Sequence, residues 1–128
     1  MLKYLEQEYI VVSDRFVQSS IVYQGIGRKL GADKILSMNE LALQEVKPFC
    51  TYYLKIDMPT YLQRKQRQTD LDRLEQEKVS FFKEIMDGYD ILFDPHVREN
   101  LIIDARKSVE NTQKQILDSF DEIIRGKI

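Results

Sequence analysis

The sequence predicts an α/β fold in which three parallel strands alternate with helices. Three short apolar runs predict the strands, and they cover residues 9–12, 51–56 and 101–103. Continuous apolar runs of this kind are typical of parallel strands that are covered on both faces. The segments after these runs have helical patterns, and a chain that alternates strand and helix is typical of the α/β class.

Composition excludes several classes of protein. The 128 residues suit one domain, and 43% hydrophobic with 31% charged residues is an ordinary balance for a globular protein. A net charge of −2 provides no broad basic surface, so we expect no binding to nucleic acid. No run approaches the roughly 20 apolar residues of a membrane span, so we expect no membrane partner. The one cysteine, Cys50, excludes an internal disulfide and fits a reducing compartment, which favours the cytoplasm.

The first predicted strand, Tyr9–Val12, follows the end of an amphipathic helix at residues 1–8 and leads directly into Asp14 and Arg15. Such a run delivers an acid and a base to the carboxyl end of a buried strand, where α/β proteins bind ligands. A polar, aromatic and basic stretch follows, and it contains Ser19, Ser20, Tyr23, Gln24 and Arg28. The segment from residue 13 to residue 28 is therefore the leading candidate for a binding site.

Helical patterns lie between and after the strands. They cover residues 32–47, 60–68 and 72–93, and the second of these helices is short and basic. Ser108 is a suitable N-cap for a final helix. An acid also follows the second strand and the third, at Asp57 and Asp104.

Four segments of the chain resemble thymidylate kinases, and they occur in the family's order. The segments are Asp-Arg-Phe with Ser-Ser and Tyr-Gln-Gly in residues 13–28, Asn39-Glu40-Leu41-Ala42 with the strand ending at Asp57, Arg64 to Glu77 containing Asp72-Arg73-Leu74-Glu75, and Ile103-Asp104-Ala105. Together they span nearly the whole chain. The resemblance implies a single partial kinase domain over residues 1–128, with an arginine-bearing lid at about residues 60–78.

By this resemblance, the activity is transfer of a phosphoryl group from ATP to dTMP, with Mg²⁺, to give dTDP. The family depends on a Gly-x-x-x-x-Gly-Lys-(Ser/Thr) phosphate loop, and the 128 residues do not contain this motif. The resemblance therefore implies an incomplete phosphate-loop kinase fold that corresponds to the family's carboxyl-terminal portion. We expect this segment to be inactive by itself.

The absence of the family's central first strand leaves three arrangements open. The segment is part of a longer kinase, or it pairs with a separate chain, or Tyr9–Val12 pairs directly with Thr51–Ile56 in a three-stranded remnant. Removal of a central strand would otherwise expose unpaired strand edges. An alternative function is a non-catalytic remnant that binds a partner chain or a nucleotide. The resemblance also implies a homodimer, to which the helix at residues 32–47 would contribute.

On the acceptor side, Arg15 can grip a phosphate with two parallel hydrogen bonds. The resemblance assigns it the dTMP phosphate, with Asp14 arranging that phosphate or an associated Mg²⁺. Ser20 and Gln24 would read the pyrimidine edge, and the ring of Tyr23 would lie against the deoxyribose and disfavour a 2′-hydroxyl. The alternatives are that the Asp-Arg pair only ends a strand and that Tyr23 is a core aromatic.

On the donor side, the resemblance makes Arg64, Arg67 and Arg73 the arginines of a lid that closes over the donor triphosphate. Without it, this basic run is a solvated helix face balanced by neighbouring acids. Ala105 and Lys107 lie just beyond the last strand, where the family packs the adenine of ATP.

Overall fold

The computed structural model describes residues 2–42, 46–66 and 74–126. Arg67 and Arg73 lie outside these ranges, as does most of the predicted lid. The chain divides into two compact units, Met1–Pro48 and Phe49–Ile128, and each unit is described by itself. Helices and a parallel sheet confirm the α/β class.

The first unit is helical. Its elements are α1 (Leu2–Leu5), α2 (Val17–Ser20), a π-helical segment (Ile21–Gly27) that continues directly from α2, and α3 (Ala32–Ala42). The predicted helix at residues 32–47 therefore forms over its first part, and residues 43–45 lie outside the described ranges. The buried core of this unit contains Ile21, Val22 and Ile35.

The strand predicted at residues 9–12 does not form. These residues have irregular backbone, and the side chains of Tyr9, Ile10 and Val12 are 60%, 71% and 88% exposed. A strand requires hydrogen bonds to a neighbouring strand, which a local apolar run does not supply. The ring of Tyr9 instead packs edge-on against the ring of Tyr4, with 5.9 Å between their centroids.

The π-helical segment packs closely against the start of α3. The turns of a π-helix are wider than those of an α-helix. Accordingly, the Arg28 N–H donates a hydrogen bond to the Tyr23 carbonyl, five residues back, at 3.1 Å. Gly25 is buried, and a Cβ atom at this position would lie 2.8 Å from Cα of Ala32. Gly31 precedes α3 with a φ of +91°, a conformation that glycine adopts readily. The two glycines thus let the chain reverse and bring α3 against the π-helical segment.

The second unit contains a two-stranded parallel sheet. Strand β1 (Thr51–Lys55) pairs with β2 (Asn100–Asp104) in the register Thr51 with Asn100 to Lys55 with Asp104. Both strands were predicted from the sequence. The third parallel strand of that prediction is not present in the described residues.

Three helices complete the second unit. They are α4 (Met58–Gln66), α5 (Leu74–Leu92) and α6 (Val109–Ile124). The Asp57 carboxylate accepts a bond from the Thr60 N–H at 2.9 Å in the first turn of α4. Ser108 caps α6 as predicted, because its hydroxyl accepts a hydrogen bond from the Asn111 N–H at 3.2 Å.

The sheet packs between α5 and α6. The ring of Tyr53 stacks on Tyr89, with 5.3 Å between centroids, and packs at a tilt against Phe93, with 5.0 Å between centroids. The neighbouring Tyr52 faces the other way, and its hydroxyl lies 3.3 Å from that of Ser119 on α6. Each helix in the described part of the chain is too short or too polar to span a lipid bilayer.

Candidate functional site

Arg15 has a strained backbone and an available side chain. Its φ is +64°, a left-handed conformation that is uncommon for a residue with a Cβ and that often occurs at ligand sites. The Ser13 hydroxyl donates to the Arg15 carbonyl at 2.9 Å and supports this turn. The guanidinium carbon lies 5.3 Å from the centroid of the Tyr23 ring, which is cation–π geometry. Within the residues that the structure describes, no carboxylate pairs with this guanidinium.

An open cavity of about 520 Å³ lies beside this pair. Its volume is within the range of small-molecule sites. All four residues predicted to bind the acceptor nucleotide line it, whereas Asp14 is exposed and is not part of the lining. The lining residues are Arg15, Phe16, Val17, Ser19, Ser20, Tyr23, Gln24 and Asn39.

The polar groups of this cavity are suited to a ligand. In the described part of the chain, the side chains of Ser20 and Gln24 make no hydrogen bond to protein. Both are partly buried, so they face the cavity with donors and acceptors that a bound molecule can use. Asn39 belongs to the helix motif that resembles the family, but it was not predicted to be a site residue. Its place in the cavity depends on the packing of α3, which no local pattern encodes.

Arg64 contacts the segment that follows β2. Its Nη2 group donates to the carbonyl of Ala105 at 2.6 Å and to that of Lys107 at 2.9 Å. The structure therefore brings together three of the residues predicted for the donor side. Arg64 and Ala105, but not Lys107, line a second cavity of about 420 Å³. Its lining residues are Leu54, Arg64, Ala105, Val109, Thr112, Gln113, Ile116 and Leu117. Most of this lining is apolar.

A charged cluster lies at the carboxyl ends of the two strands. Arg106 donates through Nε and Nη2 to the two oxygens of Asp104, at 2.9 and 2.8 Å, and its Nη1 lies 3.7 Å from an oxygen of Asp57. Hydrogen bonds from Arg106 hold the pKa of Asp104 far below its usual range. The pKa of Asp57 is also lowered, mainly by hydrogen bonds from Thr60. Arg106 was not predicted to be part of a site. A basic residue two positions after the acid that ends a strand could have indicated this charged cluster.

The described residues contain no metal centre made of protein side chains. Within residues 2–42, 46–66 and 74–126, no three histidine, cysteine, aspartate or glutamate side chains converge to hold an ion. Asp14 is a single exposed carboxylate. A Mg²⁺ ion is commonly held by one or two carboxylates together with substrate phosphates, so one carboxylate does not by itself form a metal site.

Comparison with known proteins identifies the family of this chain. The family model described as thymidylate kinase matches residues 1–116. The thymidylate kinase of Mycoplasmopsis pulmonis is 41% identical over 128 residues, which is 98% of this chain and 53% of that protein. The thymidylate kinase of Kosmotoga olearia is 32% identical over 116 residues, and that of Mycoplasma mobile is 35% identical over 123 residues.

These matches cover 91% or more of this chain, but the chain spans only 53–59% of the length of the three relatives. The shared part includes the Asp-Arg segment, both strands and the start of α6. On the family match and these identities, the chain belongs to the thymidylate kinase family.

Proposed function

We propose that this chain forms the acceptor-nucleotide part of a thymidylate kinase that converts dTMP to dTDP with ATP and Mg²⁺. The observation that supports it best is the Arg15–Tyr23 pair at the cavity of about 520 Å³. A guanidinium without a carboxylate partner can bind the phosphate, while the ring beside it supports the sugar. Family membership makes dTMP the leading candidate for the acceptor.

The remaining polar residues of the cavity have roles in the same proposal. Ser20 and Gln24 bind the edge of the pyrimidine, and Tyr23 disfavours a 2′-hydroxyl. Asp14 arranges the phosphate or its Mg²⁺. Phosphoryl transfer requires mainly positive charge and accurate positioning, and these residues supply both to the acceptor.

For the donor, we propose the cleft of about 420 Å³ that Ala105 lines, with Lys107 two residues further along the chain. Its mostly apolar walls suit a planar base, so the residues present fit the adenine of ATP. Arg64, Arg67 and Arg73 form the lid of this proposal. The Nη2 group of Arg64 is occupied by two carbonyls, which leaves Nε and Nη1 for a phosphate. ATP supplies the transferred phosphoryl group when it is bound.

The phosphate loop must come from elsewhere, since the 128 residues lack its motif. We therefore expect no turnover by this segment alone. The alternative is a remnant that binds a nucleotide or a partner chain without catalysis. A homodimer is a further expectation from the family.

Binding of dTMP tests the acceptor site directly. Calorimetry should detect dTMP binding to the full chain, and Arg15→Ala should weaken it by about 2 kcal/mol, roughly 30-fold in Kd, because hydrogen bonds to a charged group are lost. The affinity of Arg15→Lys for dTMP should lie between those of the wild-type chain and Arg15→Ala, since lysine keeps the charge but cannot make two parallel hydrogen bonds to a phosphate. Lys34→Ala, which removes an exposed charge from α3, is the matched control.

Thymidine separates phosphate binding from other effects. Its affinity should change much less than that of dTMP in Arg15→Ala, because it carries no phosphate. Equal losses for thymidine and dTMP would contradict a phosphate-binding role for Arg15. Absence of dTMP binding to the wild-type chain would contradict the acceptor site itself.

Complementation tests the kinase activity. The chain is mixed with the phosphate-loop half of the Mycoplasmopsis pulmonis enzyme, and dTMP-dependent ADP release is measured. We expect activity that Arg15→Ala abolishes. Binding of dTMP without activity in any combination would favour the remnant.

A further inference from the structure

The turn that follows β2 forms part of the wall of the proposed donor cleft. Ala105 is buried and lines this cleft, and its N–H donates to the Lys55 carbonyl at 2.9 Å, one residue beyond the last pair of the two strands. On the other side of the turn, Nη2 of Arg64 donates to the carbonyls of Ala105 and Lys107. The shape of the cleft therefore depends on the conformation of residues 105–107.

Arg106, in the middle of this turn, folds back over the ends of both strands. Its backbone N–H and its Nε donate to Oδ1 of Asp104 at 3.0 and 2.9 Å, and Nη2 donates to Oδ2 at 2.8 Å. One carboxylate thus accepts three hydrogen bonds from a residue two positions later. Nη1 of Arg106 also lies 3.7 Å from Oδ2 of Asp57, which follows β1. Arg106 therefore links the carboxyl ends of β1 and β2, where α/β proteins bind ligands.

These contacts restrict the turn more than they stabilise the fold. The side chains of Arg106, Asp57 and Asp104 are 56%, 46% and 36% exposed. Ion pairs at such exposure contribute little to the free energy of unfolding, because water and salt screen both charges. Three hydrogen bonds to one carboxylate nevertheless limit the conformations that residues 104–106 can adopt. The main effect of Arg106 is therefore on the geometry of the turn.

We propose that Arg106 is a positioning residue for the donor base. Its bonds to Asp104 and Asp57 hold the turn so that Ala105 stays at the wall of the cleft. This inference rests on the proposed donor cleft and extends it. A turn that already has its binding conformation loses less entropy when a ligand binds. Arginine suits this role, because its planar guanidinium makes two parallel bonds to one carboxylate, which lysine cannot do.

Adenosine tests this proposal, because it carries the base and sugar of the donor and has no phosphate that would require a phosphate loop. Its binding to the full chain is followed by chemical-shift titration of the backbone amides. Arg106→Ala should weaken adenosine binding about 5- to 10-fold and change the affinity for dTMP and the midpoint of urea unfolding very little. Arg98→Ala is the matched control, because it removes an exposed guanidinium just before the amino end of β2. It should leave adenosine binding unchanged.

Hydrogen exchange in the ligand-free chain separates positioning from direct contact with adenosine. Exchange of the Ala105 N–H should accelerate in Arg106→Ala, while amides within β2 keep their wild-type rates. Asp104→Asn should accelerate the same amide, because an amide side chain has only one acceptor oxygen for the guanidinium. Weaker adenosine binding with unchanged exchange at Ala105 would mean that Arg106 contacts the ligand directly, and would overturn the positioning role.

The remaining outcomes distinguish this inference from the proposed function. Arg106→Lys should recover only part of the lost adenosine affinity, and full recovery would count against the proposal, because the charge alone would then suffice. If the wild-type chain does not bind adenosine, the donor cleft and the role of Arg106 both fail, while dTMP binding still supports the acceptor site. If it binds adenosine and Arg106→Ala binds it equally well, only the role of Arg106 is overturned.

Discussion

The two units of the chain use their polar side chains differently. In the first unit, Arg15, Ser20 and Gln24 line a cavity, and in the described residues none of these three side chains makes a hydrogen bond or ion pair with protein. In the second unit, the guanidinium of Arg106 bonds to the Asp104 carboxylate, and Nη2 of Arg64 bonds to two carbonyls, so that only Nε and Nη1 of Arg64 remain for a ligand. Polar groups without protein partners are available to a ligand, whereas occupied groups stabilise a loop.

The backbone conformations of the two units also differ, and the unusual ones lie in the first unit. The three described non-glycine residues with positive φ, Glu8, Arg15 and Lys29, all lie in the first unit. The same unit contains the π-helical segment Ile21–Gly27. Left-handed residues and π turns are unfavourable, and they persist mostly where they position functional groups. The first unit thus carries strain beside a candidate site, and the second provides paired strands and capped helices.

A substitution at Gly25 should have the largest effect on the stability and ligand binding of the first unit. Gly25→Ala would place a Cβ 2.8 Å from backbone of Ala32, so the π-helical segment and α3 must separate. We expect a loss of about 3 kcal/mol in the stability of the first unit, measured by urea unfolding with hydrogen exchange of α3, and a loss of dTMP binding.

Gly126→Ala is the control for that substitution. Gly126 has a positive φ, +66°, and a Cβ there meets nothing within 4 Å. It should cost about 1 kcal/mol for backbone strain alone. Similar losses from the two substitutions would contradict close packing at Gly25.

Gln115 provides the corresponding test in the second unit. Its side-chain amide accepts from the Asp104 N–H at 3.2 Å and donates to the Asp104 carbonyl at 2.9 Å, as a neighbouring strand would. Gln115→Met should cost about 2 kcal/mol, because two backbone groups lose their partner. Hydrogen exchange should accelerate at Asp104.

The exposed Gln113, on the same helix, is the matched control. Gln113→Met should change stability by less than about 0.5 kcal/mol. An equal effect of both substitutions would mean that the amide of Gln115 does not support β2.

Local sequence patterns predicted more of the second unit than of the first. The runs at β1 and β2 became strands because each supplies the other with a partner, and Ser108 capped α6 as its residue type indicates. The equally apolar Tyr9–Val12 did not form a strand, since strand pairing is not a local property. The π-helical turns likewise have no local sequence signature.

At the candidate site, the sequence predicted the residues of the motif but not the residues that tertiary packing brings to them. Arg15, Ser20, Tyr23 and Gln24 were predicted from a motif, and the structure gathers them at one cavity. Asn39 was not predicted, because its place depends on how α3 packs. Arg106 and Gln115 were also missed, since a base in a loop and a glutamine in a helix have many ordinary uses.

The smallest effect we expect is a dependence of the second unit's stability on acid. Hydrogen bonds from Arg106 lower the pKa of Asp104 in the folded chain, and the pKa of Asp57 is lowered in the same direction. A carboxyl group whose folded pKa is depressed stabilises the fold above its unfolded pKa of about 4, and this contribution is lost as pH falls toward the folded value. Thermal unfolding should therefore show a midpoint that falls as pH drops below about 4.

Asp104→Asn should weaken the dependence of the unfolding midpoint on pH in acid, because the neutral amide cannot titrate. Asp118→Asn is the control, since it removes an exposed carboxylate of α6 whose bridge to Lys114 spans 2.7 Å at the surface. We expect Asp118→Asn to keep the wild-type slope. If Asp104→Asn also keeps it, the Asp104–Arg106 contact does not stabilise the second unit. In that case the paired guanidinium of Arg106 would contribute no more to stability than the guanidinium of Arg15, which has no carboxylate partner in the described residues, and the contrast in stability between the two units would be limited to their backbones.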